Sequence, residues 1–154
     1  SEPLEEVIEG DVNGIDEEVK EWEEVEFLVD SGASMTVTGE GMIKAVTASK
    51  PDPSRSYKLA DGSTFPHKGH KQFLGVTNEG WSRKMKASVT DVDRPLLSVA
   101  QVVQHGGRVV FDKNGSYIDG PKGQQRIHLE QKGGLYLMKM WIPRDQATPF
   151  PGQA

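Results

Sequence analysis

From Val25 onward the chain is cut into short extended runs by turn residues, and this rhythm constrains the fold more than any other feature. Val25, Phe27 and Val29 alternate with Glu26 and Leu28 and then meet Asp-Ser-Gly, which reads as a strand running into a loop. Further runs follow at Ser56–Ala60, Thr64–Pro66, Gln72–Thr77, Lys84–Thr90, Arg108–Phe111, Ser116–Ile118, Arg126–Glu130 and Leu135–Ile142. Asp61-Gly62, Asn78-Glu79-Gly80, Lys113-Asn114-Gly115 and Lys132-Gly133-Gly134 punctuate them. Asn114-Gly115 is the strongest of these signals, because both residues tolerate positive φ and suit a tight hairpin turn. The pattern predicts an all-β barrel or sandwich. One stretch departs from it. After Pro95, Leu96, Val99, Ala100 and Val103 fall at helical spacing before Gly106-Gly107, which predicts a short helix from about Ser98 to Gln104.

The length of 154 residues fits one domain, and 17 glycines with 9 prolines suit a fold of many turns rather than long helices. There is no cysteine, which excludes disulfides, thiolate catalysis and Cys-based metal centres and is compatible with a reducing compartment. No apolar run approaches the roughly 20 residues that cross a bilayer, and no signal-peptide pattern opens the chain. The expectation is a cytoplasmic, intracellular protein without a membrane partner.

Charge is unevenly placed. Residues 1–26 hold twelve acids against one Lys, whereas 27–154 hold eleven acids against seventeen bases. Such a block is a solvated flank or, alternatively, a segment lying on the basic surface of its own domain. Its conformation is open: Asp16 could cap a helix with Ile15, Val19 and Trp22 on one side, or the leader could be irregular. The bases of the body are scattered and no aromatic stripe accompanies them, so direct nucleic-acid binding is not expected.

Three local features carry the functional reading. In Phe27-Leu28-Val29-Asp30-Ser31-Gly32-Ala33-Ser34, apolar residues lead straight into an acid. Asp30 is therefore expected at a strand end near the core, where a carboxylate is partly desolvated, with Gly32 allowing close backbone approach and Ala33 keeping the site narrow. Lys58-Leu59-Ala60-Asp61-Gly62-Ser63-Thr64-Phe65 reads as a hairpin. Arg94-Pro95-Leu96-Leu97-Ser98-Val99 sets an apolar pair and a small residue at a strand-to-helix junction. Each taken alone is ordinary turn or core chemistry.

In this order the three features resemble the retropepsin family, the aspartic proteases of retroviruses and retrotransposons, and most closely its copia-type branch. The resemblance rests on DSGAS, LADGS and RPLLSVAQVVQHGGRVVFDKNG, and covers about residues 24–118, with 119–142 matching more loosely. It implies a homodimeric acid-protease barrel with a flap hairpin and one short helix. The domain would span 21–142, between an acidic flank at 1–20 and a Pro-rich tail at 143–154. Asp30 would be the catalytic acid, with Ser31 hydrogen-bonding across the two-fold axis and Gly32 offering its carbonyl to substrate. Ala33, Ser34 and Met35 would shape adjoining subsites, and Ala60, Asp61, Gly62 and Ser63 would form the flap over the peptide. Where many retroviral members have Gly after the apolar pair, this chain has Ser98, which the copia-type pattern shares and which bears on packing beneath Asp30.

The chemistry of this class needs two carboxyls, one taking a proton from water while the other donates to the peptide carbonyl. At a separation of about 3 Å they cannot both ionise, so the pair shares a proton. This chain has one suitable loop, since Asp112-Lys113-Asn114-Gly115 and Asp119-Gly120 read as hairpin turns. An isologous dimer is then obligatory. Leu135–Ile142, apolar at nearly every position, is expected to be buried against its own core or against the partner. The implied substrate is an extended peptide with apolar side chains, such as a polyprotein junction. Thr148-Pro149-Phe150-Pro151 resembles the aromatic-Pro sites that such enzymes cleave, or is simply tail.

No cofactor and no metal are expected. His67-x-x-His70 lacks a third ligand, Asp11-Val12-Asn13-Gly14 lacks the ligand rhythm of a calcium loop, and neither Ser31 nor Ser34 has the elbow or base that serine catalysis needs. The alternative function is a catalytically inactive module that keeps the fold for dimerisation or peptide binding.

Overall fold

A computed structural model describes residues 21–58 and 62–146. The acidic flank 1–20, the hairpin residues 59–61 that include Ala60 and Asp61, and 147–154 with the Thr148–Pro151 stretch lie outside the described residues. The protein is all-β with one short helix. Strands β1 (Trp22–Asp30), β2 (Val37–Thr38), β5 (His70–Thr77), β6 (Ser82–Val89), β7 (Leu96–Ser98), β11 (Glu130–Lys132) and β12 (Leu135–Pro143) form the main sheet, in the order β1-β7-β2-β6-β5-β12-β11. Since β12 also pairs with β1, this sheet closes on itself. β3 (Ser56–Lys58) and β4 (Thr64–Pro66) make a separate ribbon, and β8 (Arg108–Val110), β9 (Tyr117–Asp119) and β10 (Ile127–His128) a three-stranded sheet. Helix α1 spans Val99–Gln104.

β1 forms because its apolar residues alternate, and Val25, Phe27 and Val29 are buried while their neighbours are not. They pack with Phe73, Ala87, Leu97, Ile118, Met138 and Met140 in one core, where each such side chain contributes on the order of 1.5–3 kcal/mol. β12 is buried on both faces, with Leu137, Met138, Met140 and Ile142 all inside the chain's own fold. Burial against the chain's own core is thus what occupies most of this strand, and Leu135 at its start is the exposed exception.

Several boundaries differ from the sequence reading for local reasons. The run Arg126–Glu130 splits into β10 and β11 because the Leu129 amide turns to the Ser116 carbonyl at 3.0 Å. The expected edge of the domain at 142 falls inside β12, and the fold continues past it. The Arg144 amide bonds the Glu21 carbonyl at 2.8 Å, and the Gln146 side chain bridges the amide and carbonyl of Leu74 at 2.7 and 3.3 Å. Trp22 stands in β1 rather than in a helix.

The loop after β2 is pinned at Ile43, fully buried with φ of 54°, a left-handed conformation that costs a branched residue roughly 1–2 kcal/mol. The Glu23 carboxylate accepts the amides of Ile43 and Lys44 at 3.3 and 2.9 Å. From the other side, buried Lys71 donates to the carbonyls of Met42 and Ile43 at 2.8 and 2.9 Å. Burial pushes the Lys71 ammonium below its ordinary range, partly opposed by the nearby Glu23 charge.

Candidate active site

Asp30 is the last residue of β1. β1 runs parallel to β7 in the register Leu28↔Leu96, Val29↔Leu97, Asp30↔Ser98, so the acid and the serine sit side by side where both strands end. The chain then turns. The Gly32 amide donates to Asp30 Oδ1 at 2.8 Å, and the Ala33 amide reaches the Asp30 carbonyl at 3.4 Å. A Cβ on Gly32 would lie 3.4 Å from that same Oδ1, in ordinary contact, so no clash requires a glycine here.

The loop is held from beneath. Ser98 is completely buried, and its hydroxyl donates to the Ala33 carbonyl at 2.7 Å while accepting the Gln101 amide at 3.1 Å. It is thus both the N-cap of α1 and a strut under the Asp30 turn. Thr36 completes the clamp: its hydroxyl accepts the Ser98 amide at 3.0 Å, and its own amide donates to Gln101 Oε1 at 2.8 Å. The Ser98 hydroxyl therefore ties the Asp30 turn to helix α1. Thr36 and Gln101 were not singled out from sequence, because a threonine in a Ser/Thr-rich turn and an amide on a short helix carry no distinguishing pattern.

Asp30 is half-buried, and with Ser31 it lines a cleft of about 380 Å³. The other walls are Leu28, Val29, Phe111, Gly134, Leu135 and Tyr136. Phe111 and Leu135 are 42% and 39% exposed, large for apolar side chains, and the Phe111 ring tilts against Tyr136 with centroids 4.7 Å apart. These residues come from elements far along the chain, so only folding reveals that they border the acid. Their one sequence signal is apolar character next to a turn.

The other expected site residues are distributed as follows. Ser31, Gly32 and Ser34 are exposed on the turn, and Ala33 and Met35 are half-buried beside it. Met35 Sδ accepts the Ser88 hydroxyl at 3.4 Å, which ties the turn to β6. The hairpin read from LADGS is present as the β3–β4 ribbon, paired Ser56↔Pro66 to Lys58↔Thr64, with Gly62 at φ 91°. Gly62 and Ser63 do not line the Asp30 cleft.

No protein-family model, curated protein or solved structure matches this chain. The site is thus read from its own chemistry. Among the described residues no group of three His, Asp or Glu is placed to hold a metal ion, and no helix is long and apolar enough to cross a membrane. His67 Nδ1 accepts the Asp52 amide at 2.8 Å, and His70 Nδ1 lies 3.1 Å from the Ser49 hydroxyl. Asp119, read from sequence as part of a turn, instead ends β9, is 4% exposed, and takes Arg126 on both oxygens at 2.8 and 3.1 Å. The Arg126 guanidinium beside it holds its carboxyl below the ordinary value.

Proposed function

We propose that the chain is one half of an aspartic endopeptidase of retropepsin type, active as a homodimer in which a two-fold axis sets Asp30 of one copy against Asp30 of the other. The observation that carries this reading is the Asp30 turn itself. A carboxylate at the end of a largely buried strand accepts one backbone amide, has no cation paired to it among the described residues, and stands on a Ser98–Thr36–Gln101 clamp in which Ser98 and Thr36 are buried. Such a clamp fixes the position of the acid without neutralising it.

In the dimer a water lies between the two carboxyls. The ionised one takes a proton from the water as its oxygen bonds to the scissile carbonyl carbon, while the protonated one gives its proton to the carbonyl oxygen. Collapse of the tetrahedral intermediate breaks the C–N bond, the proton gained by the first carboxyl passes to the leaving amine, and a hydroxyl of the intermediate returns its proton to the second carboxylate as the carbonyl re-forms. The Gly32 amide on Oδ1 orients each carboxyl for this exchange. Peptide would bind extended, its backbone against the turn and the β3–β4 hairpin acting as flap, with apolar side chains against Phe111, Leu135 and Tyr136. Polyprotein processing of the copia type is the role that the sequence resemblance implies.

The test is cleavage of a quenched apolar peptide with and without a pepstatin-type inhibitor, in the intact chain and in Asp30→Asn. Inhibitor-sensitive cleavage that disappears in the variant is expected. Cleavage that survives the substitution removes Asp30 from the mechanism, and peptide binding without cleavage in the intact chain favours the inactive module.

A further inference from the structure

Strand β6 carries one open edge. Among the described residues β2 pairs with it only at Ser88 and Val89, which leaves Ser82–Ala87 bonded to β5 alone. The Ser88 amide faces that side, donating to the Thr36 carbonyl at 2.9 Å. Strand alternation turns the backbone groups of Lys84 and Lys86 the same way. An open edge of this kind is a template for an added extended segment.

The edge gives onto a groove of about 890 Å³ between the β5–β6 hairpin and helix α1, which shares no lining residue with the Asp30 cleft but reaches Thr36 and Gln101 of the clamp beneath it. Its floor is apolar, with Phe73, Leu97, Ile118 and Met138 among the residues lining it. Its edge strand is cationic. Arg83, Lys84 and Lys86 form no ion pair among the described residues, and Arg83 donates only to the carbonyls of Ser82 and Gln125. A fitting occupant is extended, apolar in part, and acidic.

Residues 1–20 of the same chain have this character, with eight acids against one Lys and with Leu4, Val7, Ile8 and Val12 set among them. They join the fold at Glu21, whose carbonyl holds the Arg144 amide, and Gln146, close behind Arg144, lines the groove. Twenty residues span up to about 66 Å when extended, more than twice the roughly 26 Å of an eight-residue strand.

We propose that residues 1–20 occupy this groove in their own chain, their acids against Arg83, Lys84 and Lys86 and their apolar side chains on its floor. The inference does not depend on protease activity.

Because the chain has no cysteine, Val7→Cys carries a single nitroxide on the full chain. Selective paramagnetic broadening of the amides of Arg83–Lys86 and Val102–Gly107 is expected at low salt. It should weaken as ionic strength rises from about 0.01 M to about 1 M, which shortens the Debye length from about 30 Å to about 3 Å. Glu5→Gln/Glu6→Gln/Glu9→Gln, which leaves the described fold untouched, and Lys84→Glu/Lys86→Glu should each reduce it. Broadening that is uniform, that maps to another face, or that appears only when label and isotope are on different molecules overturns the proposal.

Discussion

Asp30 closes β1 and Asp119 closes β9, and small residues follow both. Asp119 is buried and held on both oxygens by Arg126, whose guanidinium also lies 3.6 Å from the centre of the Tyr117 ring. Asp30 is half-buried, takes a single backbone amide, and faces an open, partly apolar cleft. A carboxylate matched by a fixed cation is committed to the fold, because removing either partner leaves the other uncompensated. One positioned by neutral donors keeps its charge available for a reaction.

The largest expected difference between the two lies in activity. Asp30→Asn should lower the cleavage rate by about 10²–10⁴-fold or more, the range that general acid–base catalysis supplies, while stability stays within about 0.5 kcal/mol. Asp119→Asn should do the reverse, keeping the cleavage rate per folded molecule and lowering the denaturant midpoint. Equal loss of activity in both variants, at equal folded fraction, would erase the contrast.

A smaller effect is expected at the strut. Ser98→Ala removes a helix cap and a buried donor to the Ala33 carbonyl, a loss of about 1–2 kcal/mol in chemical denaturation. Its kcat should fall more than its KM rises, because the turn that carries Asp30 loses its support. Ser98→Thr, which restores a hydroxyl, should recover part of that loss, and an unchanged kcat in Ser98→Ala would show that the clamp does not position the acid.

The smallest difference is in acid stability. The folded Asp119 carboxyl lies below its ordinary value of 3.8 because of Arg126. Below that value the unfolded chain therefore binds more protons than the folded one. The contribution of the ion pair is complete above 3.8 and fades as the pH falls through the folded value. Thermal melts of the intact chain and Asp119→Asn should differ most near neutral pH and converge under acid. A gap that stays constant down to about pH 2 would exclude this titration.

Much of the fold was legible where local chemistry decides it. The helix is capped by Ser98 and stopped at Gly106, whose φ is 90°, and β4 matches the expected run residue for residue. β2 was not legible, since two residues show no alternation, and neither was the pairing of β1 with β12, which joins opposite ends of the described chain. At the site, the apolar lead into Asp30 placed the acid at a strand end near the core. Phe111, Leu135 and Tyr136 beside it are brought there by tertiary pairing alone. The turn expected at Asp119-Gly120 begins one residue later, at Gly120, where the Gly123 amide bonds the Gly120 carbonyl and Lys122 takes a φ of 64°, and the return of Arg126 onto Asp119 across it is not announced by the local pattern.

In the proposed enzyme two copies of one acid share one reaction. Mixing intact chain with Asp30→Asn chain at constant total concentration, with time for subunits to exchange, tests it directly. If each site needs both carboxyls, activity follows the square of the intact fraction, because mixed dimers are silent. Activity that falls in simple proportion to the intact fraction would mean that each chain works alone, and would contradict the shared site.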